Sequence, residues 1–284
     1  MRILTTVAEL RAALNARRAD GRPIGFVPTM GALHDGHLSL IRRANADGTT
    51  VVVSIFVNPL QFNEQSDLAA YPRDLQRDAR LAEGAGAEIL FAPDGSQMYP
   101  PGFSTSVTVR GVTAPLEGAI RGEAHFTGVT TVVAKLFNIV QPSVAYFGQK
   151  DAQQAVVVQR MVHDLDFPIH IEVCETVREP DGLAMSSRNV RLDAESRQRA
   201  TALVKALAEA RDMIADGELN VAVVTRRAVE RMNAMGVMPE YFEIVSPDDF
   251  TTLDAVDRRA IIAVAACIGG VRLIDNMVVE PPRS

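Results

Sequence analysis

The segment that most narrows the possible folds is Thr49-Thr50-Val51-Val52-Val53-Ser54-Ile55-Phe56-Val57. It is a β-branched and aromatic run with no apolar/polar alternation. A strand with one wet face alternates, so a strand without alternation is covered on both faces. Asn58-Pro59 ends it, because proline cannot donate to a ladder. Helices lying on both faces of a strand imply crossover connections and a parallel sheet. The neighbouring segments fit. Val7 to Ala19 carries apolar residues at 7, 10, 13 and 14, and Gly21-Arg22-Pro23 closes that helix. Ile24 to Val27 is a short buried strand. A helix runs from about Gly36 to Ala46 and ends at Asp47-Gly48. Another starts at Tyr71-Pro72-Arg73-Asp74, with Leu75, Ala79, Leu81 and Ala82 inward and Gly84 and Gly86 at its end. Glu88 to Phe91 is then a third strand, giving the order β-α-β-α-β.

Farther on, Asp94 to Ala124 is rich in Gly, Pro, Ser and Thr, with one strand expected at Ser106–Val109. A helix over Thr127–Val140, a strand at Val144–Phe147, a helix over Ala152–Leu165 and a strand at Ile169–Cys174 follow. Arg178 to Arg191 reads as a polar loop. Asp193 is the N-cap of a long helix to Ala215, and a second helix covers about Val221 to Met235. Tyr241–Val245, Ala260–Cys267 and Val271–Ile274 read as strands. The expected fold class is α/β: a Rossmann-like doubly wound parallel sheet at 1–175 and a smaller α+β domain at 176–284.

Composition excludes several classes. No apolar run approaches the length of a membrane span, and no secretory leader is recognisable at the start. A net charge of −6 argues against a nucleic-acid surface. Cys174 and Cys267 form neither a disulfide framework nor a zinc site, and their apolar contexts predict buried thiols. A cytoplasmic location is the default.

Ligands of doubly wound sheets bind outside the carboxyl ends of the strands. Pro28–His37 lies at one such end. Its glycines and two histidines sit where a strand turns into a helix N-terminus, a layout that offers backbone N–H groups and a positive dipole end to phosphate. Asn58–Phe62 lies at another, where the neutral amide of Gln61 could bind a carboxylate or hydroxyl. Phe147 to Gln154 is a third junction, carrying Lys150, one of only three lysines. Asp181 to Asn189 is a fourth, with Ser186 and Ser187 beside Arg188 in a loop able to close on phosphates. Taken singly, Asn58–Phe62 reads as a strand-ending turn and Asp181–Asn189 as a solvated linker, Phe147–Gln154 is balanced between turn and site, and only Pro28–His37 favours a site by itself. Arg121, with His125, Thr127 and Gly128, is a further possible wall, and His163 and His170 read as structural. No cluster has the spacing of a fixed protein metal site, so Mg²⁺ would arrive with a phosphate-bearing ligand.

Together, PTMGALHDGH at 28–37, SIFVNPLQF at 54–62, FGQKD at 147–151 with Gln154, DGLAMSSRN at 181–189 and LIDN at 273–276 resemble the pantothenate synthetase (pantoate–β-alanine ligase) family. The resemblance spans nearly the whole chain. It implies a His-x-Gly-His nucleotidyltransferase, related in fold to class I aminoacyl-tRNA synthetases, that condenses (R)-pantoate with β-alanine through a pantoyl adenylate, releasing AMP and pyrophosphate. It implies ATP binding by Met30, Gly31, Ala32, Leu33, His34, Asp35, Gly36 and His37, with His37 the proton donor. Gly148, Gln149, Lys150, Asp151, Val177, Met185, Ser186, Ser187 and Arg188 would complete the nucleotide contacts, with His34, Lys150 and Arg188 assisting catalysis. Gln61 would contact pantoate and β-alanine, Gln154 pantoate, and Arg121 the substrate side. The 121–126 segment is one residue longer than the family's usual pattern, which bears on Arg121. A homodimer with small-molecule partners is implied. The competing reading is an adenylyltransferase of the same fold acting on a phosphate ester.

Overall fold

The computed structural model describes residues 1–62 and 65–282, with 65–67 described by backbone alone. In chain order the elements are β1 (Arg2–Leu4), α1 (Val7–Ala19), β2 (Ile24–Thr29), α2 (Asp35–Ala46), β3 (Thr50–Ile55), α3 (Gln65–Ala70), α4 (Leu75–Gly84), β4 (Ile89–Phe91), α5 (Gly95–Met98), α6 (Glu117–Arg121), α7 (Glu123–Val140), β5 (Val144–Gly148), α8 (Ala152–Asp164), β6 (His170–Cys174), α9 (Ala194–Ala215), α10 (Val221–Ala234), β7 (Tyr241–Val245), β8 (Ala260–Ile268) and β9 (Val271–Val279). Two compact units emerge: Met1–Gly148 with Gln153–Glu175, and Gln149–Ala152 with the chain from Thr176 onward.

The first unit is built on a six-stranded sheet in the order β1-β4-β3-β2-β5-β6, every pairing parallel. β3 lies inside it, and Val51, Val52 and Val53 are fully buried. Strand alternation divides them. Val52 joins Phe26, Phe91 and Phe137 in the core shared with α1 and α7, while Val51 and Val53 join Leu38, Ile41 and Ala82 on the face covered by α2 and α4. That is why the segment shows no alternation. Strand order reverses between β2 and β5, the switch point at which such sheets open a crevice.

Several expectations for this unit change. The strand at Ser106–Val109 does not form. Val107 donates its N–H to the Thr131 hydroxyl, and its carbonyl accepts from Thr130, so α7 side chains replace a neighbouring strand. β1 is an additional edge strand, paired with β4. Cys174 is only partly buried; burial pushes its thiol up to about 11. His163 at the end of α8 and His170 at the start of β6 are exposed beside Asp164 and Glu172, in keeping with their reading as residues outside the site.

The second unit has an antiparallel sheet, β7-β8-β9. Ile262, Val264, Ala266 and Ile268 of β8 meet Leu203, Leu207 and Ile214 of α9 and Val224 and Met232 of α10 in one core. Asp193 caps α9 by accepting from the Ser196 N–H. Cys267 has the opposite parity to those β8 residues and stands beside the Gly269-Gly270 turn, so it is exposed rather than buried. β9 runs to Val279, well past the expected end at Ile274.

Candidate active site

The corner between β2 and α2 is held from within. Thr29 at the end of β2 donates its hydroxyl to the Ser54 carbonyl (2.7 Å) and accepts the Gly31 N–H (3.1 Å). Gly31 then turns at φ +83°, a conformation that favours glycine. The buried carboxylate of Asp78, on α4, accepts the N–H groups of Ala32 (2.7 Å) and Leu33 (2.9 Å). His34 is the N-cap of α2. Its Nδ1 accepts the Gly36 N–H at 3.2 Å, and His37 Nδ1 accepts the His34 N–H at 3.3 Å, a capping box made of two imidazoles. The rings lie 4.1 Å apart between centroids. Because each Nδ1 lone pair meets a backbone N–H, a neutral ring carries its proton on Nε2.

This arrangement amends the expected anion site. The N–H groups of Gly31, Ala32, Leu33, His34 and Gly36 all have acceptors inside the corner. What the corner presents outward is therefore imidazole edges and the helix dipole rather than the amides of these five residues.

At the end of β3, Asn58 caps the 3₁₀ turn Pro59–Gln61 and is 1% exposed. Its Oδ1 accepts from the Tyr99 hydroxyl (2.8 Å) and the Leu60 N–H (3.3 Å). Its Nδ2 donates to the Gly128 carbonyl (3.0 Å) and to Gln61 Oε1 (3.2 Å). Gln61 is thereby oriented with its Nε2 toward Met30, 3.0 Å from the sulfur. His125 Nδ1 donates to the Gln61 carbonyl at 2.8 Å. A Cβ on Gly128 would fall on the Leu60 peptide, 2.5 Å from its carbonyl carbon, so only glycine lets α7 approach this turn. Gln61 thus touches Met30, which precedes the His34–His37 cap in the chain. Burial raises the pKa of Tyr99, which stays a phenol.

Arg121 ends α6 with its Nε 2.8 Å from the carboxylate of Glu117, one turn earlier. Gln153, 5% exposed, anchors this region: it accepts the Glu117 N–H (3.0 Å) and donates to the carbonyls of Val112 (2.9 Å) and Pro115 (2.8 Å). Gln154, beside it on α8, is half-buried.

In the second unit, Gln149–Asp151 is a 3₁₀ turn. The Gln149 amide donates to Asn276 Oδ1 at 2.9 Å, and Asn276 Nδ2 donates to the carbonyls of Gln149 and Lys150, each at 2.9 Å. The Lys150 ammonium lies 3.5 Å from Asp151. The Asp181–Asn189 loop is braced by hydrogen bonds in this structure. Met185 donates its N–H to the Val177 carbonyl (3.0 Å), Arg178 bridges to Ala184, and Gly182 turns the chain between them at φ +89°. Ser186 accepts the Arg188 N–H on its hydroxyl (3.3 Å), and Asn189 donates to Glu179 (2.6 Å) and to the Ala184 carbonyl (3.1 Å). Arg197 clamps Glu179 and Asp181 at 2.6 and 2.8 Å.

Sequence reasoning did not single out Asp78, Tyr99, Gln153, Arg178 or Arg197. A polar residue at an inward helical position was the available signal for Asp78 and Gln153. Among the described residues no group of His, Cys, Asp and Glu is placed to hold a metal ion, and no helix is long and apolar enough to cross a membrane.

Comparison with known proteins adds independent findings. A family model described as pantoate-beta-alanine ligase matches residues 2–278. The pantothenate synthetase of Heliobacterium modesticaldum is 52% identical over 281 residues, covering 99% of this chain and 100% of that protein. The crystal structure of pantothenate synthetase from Thermus thermophilus superposes with a TM-score of 0.93 at 49% identity, covering 99% of this chain and 100% of that one. A pantoate-beta-alanine ligase from Francisella tularensis, solved with beta-gamma ATP and beta-alanine, gives a TM-score of 0.80 at 35% identity over 98% of this chain and 97% of that one.

Proposed function

The chain belongs to the pantoate–β-alanine ligase family, and from that premise we propose that it joins (R)-pantoate to β-alanine with ATP, through a pantoyl adenylate. The observation that carries the reading is the paired-imidazole cap at the start of α2, which holds two rings side by side at the end of a central strand.

A carboxylate is a poor acyl donor because its leaving group is poor. In the first step a pantoate carboxylate oxygen attacks the α-phosphorus of ATP, and the bond to the pyrophosphate bridging oxygen breaks. In the second, the neutral amine of β-alanine attacks the acyl carbon, and AMP leaves with the attacking carboxylate oxygen. His37 donates its Nε2 proton toward the phosphates and His34 holds its ring in place. These donors stabilise the charge that develops as pyrophosphate departs. Met30 to His37 line the nucleotide, with Gly148 to Asp151, Val177 and Met185 to Arg188 as its other contacts. Lys150 and Arg188 offset the repulsion between two anions. Gln61, its amide oriented by Asn58, hydrogen-bonds pantoate and then β-alanine without neutralising the reacting carboxylate. Gln154 and Arg121 bind pantoate. Mg²⁺ enters with ATP as part of the substrate. The protein works in the cytoplasm as a homodimer.

Pantoate labelled with ¹⁸O in its carboxylate tests the route. One label should appear in AMP by mass spectrometry. Label in inorganic phosphate, with ADP formed, would refute the adenylate mechanism.

A further inference from the structure

Asp275 and Asn276 stand in the middle of β9 and are 2% and 5% exposed. Burying a carboxylate and an amide is unfavourable unless each finds partners, so the partners indicate the purpose. Successive strand residues face opposite sides of a sheet. Asp275 pairs across with Val264 and shares the parity of Leu273 and Val279, which belong to the core with α9 and α10. Asn276 pairs with Ala263 and faces the other side.

On the helix side, Asp275 receives both arms of the Arg178 guanidinium, at 2.7 and 3.1 Å. Arg178 also donates to the Gly182 carbonyl at 3.1 Å, which ties the arm leading to Met185–Arg188. On the opposite side, Asn276 holds the Gln149 and Lys150 carbonyls and receives the Gln149 amide. Every polar atom of the Asn276 amide is thereby engaged on the turn that carries Lys150. The carboxylate and the amide add fixed direction.

We propose that Asp275 and Asn276 are positioning residues for the ATP half of the reaction, gripping from the two faces of one strand the turn that bears Lys150 and the arm that bears Ser186–Arg188. Both sets of phosphate-binding side chains then share one frame. The inference rests on the ligase reading and assigns the strand a role beyond it.

Asn276→Asp keeps the shape and removes the two N–H donors. It is assayed in pyrophosphate release from ATP with pantoate, and in pantothenate formation from preformed pantoyl adenylate with β-alanine. The expected result is a KM for ATP raised about tenfold or more in the first assay, with the second unchanged within roughly twofold. Amide hydrogen exchange should quicken at 149–152 and not at 177–188. Arg178→Lys keeps the charge but loses the fork; it should raise the KM for ATP and quicken exchange at 177–188 alone. Equal loss in both half-reactions with a lowered Tm, or an unchanged KM for ATP in both variants, would overturn the inference. Wild-type protein that releases no pyrophosphate with pantoate would overturn the ligase reading instead, and that control is read first.

Discussion

Gly128→Ala is a one-carbon change whose effect follows from where α7 meets the turn after β3. The new Cβ would lie 2.5 Å from the Leu60 carbonyl carbon and 2.8 Å from the Gln61 nitrogen, both backbone atoms with no rotamer by which to yield. Regaining an ordinary separation of ~3.5 Å requires the helix and the turn to part by roughly 1 Å. Overpacking of this kind costs about 1–3 kcal/mol. The 3.0 Å bond from Asn58 to the Gly128 carbonyl stretches as well, and a buried amide left short of a partner costs about 1–3 kcal/mol. Alanine's better helix propensity returns about 1 kcal/mol. The net loss is about 1–5 kcal/mol, read from the midpoint of urea unfolding at unchanged m-value. The same displacement moves Gln61, held to α7 through His125, so kcat/KM for pantoate should fall roughly a hundredfold while the KM for ATP changes little. A Gly128→Ala protein as stable and as active as its parent would refute this reading of the contact.

His37→Ala should lower turnover by at least about a hundredfold with folding nearly intact, which steady-state kinetics beside circular dichroism would check. Lys150→Ala should impair pyrophosphate release far more than the capture of β-alanine by preformed adenylate; equal damage to both would remove Lys150 from ATP chemistry. Asp78→Asn turns an acceptor of two N–H groups partly into a donor facing them, so stability should drop by about 1–3 kcal/mol in denaturant titration and the KM for ATP should rise. Burial raises Glu179, but hydrogen bonds from Arg197 and Asn189 prevail and hold its carboxyl below the usual range; the Arg197 bond does the same for Asp181. Depressed carboxylates stabilise the fold at neutral pH and lose that contribution as pH falls through their folded values. Arg197→Gln should therefore show a smaller loss of Tm between about pH 5 and pH 3 than the parent.

Most of the fold was legible because its strands and helices are marked by period. α1 begins and ends at Val7 and Ala19 as its apolar spacing and the Gly21-Arg22-Pro23 stop require. β3 shows burial on both faces in its composition alone. What escaped depends on partners distant in sequence. β1 is only three residues long and exists through its pairing with β4. Val107 has the composition of a strand residue, yet hydroxyls from α7 take up its backbone groups. Composition ends β9 at Ile274 because Asp275 and Asn276 break its apolar run, and only Arg178 and the 149–150 carbonyls make those residues compatible with a buried strand. The His34–His37 corner and Gln61 could be located from glycine, proline and histidine placement. The residues that orient them, Asp78 and Asn58, act through backbone bonds that leave no periodic trace.

The four residues Gln149–Ala152 belong to the second unit although the chain on either side belongs to the first. Modularity here does not follow linear order. A recombinant swap of residues 176–284 between homologues would import Asn276 but leave its cognate strip behind, pairing an incoming amide with a foreign Gln149 backbone. Crossover points for chimeras, and break points for split-protein complementation, therefore have to travel as two pieces, 149–152 together with the carboxy-terminal segment.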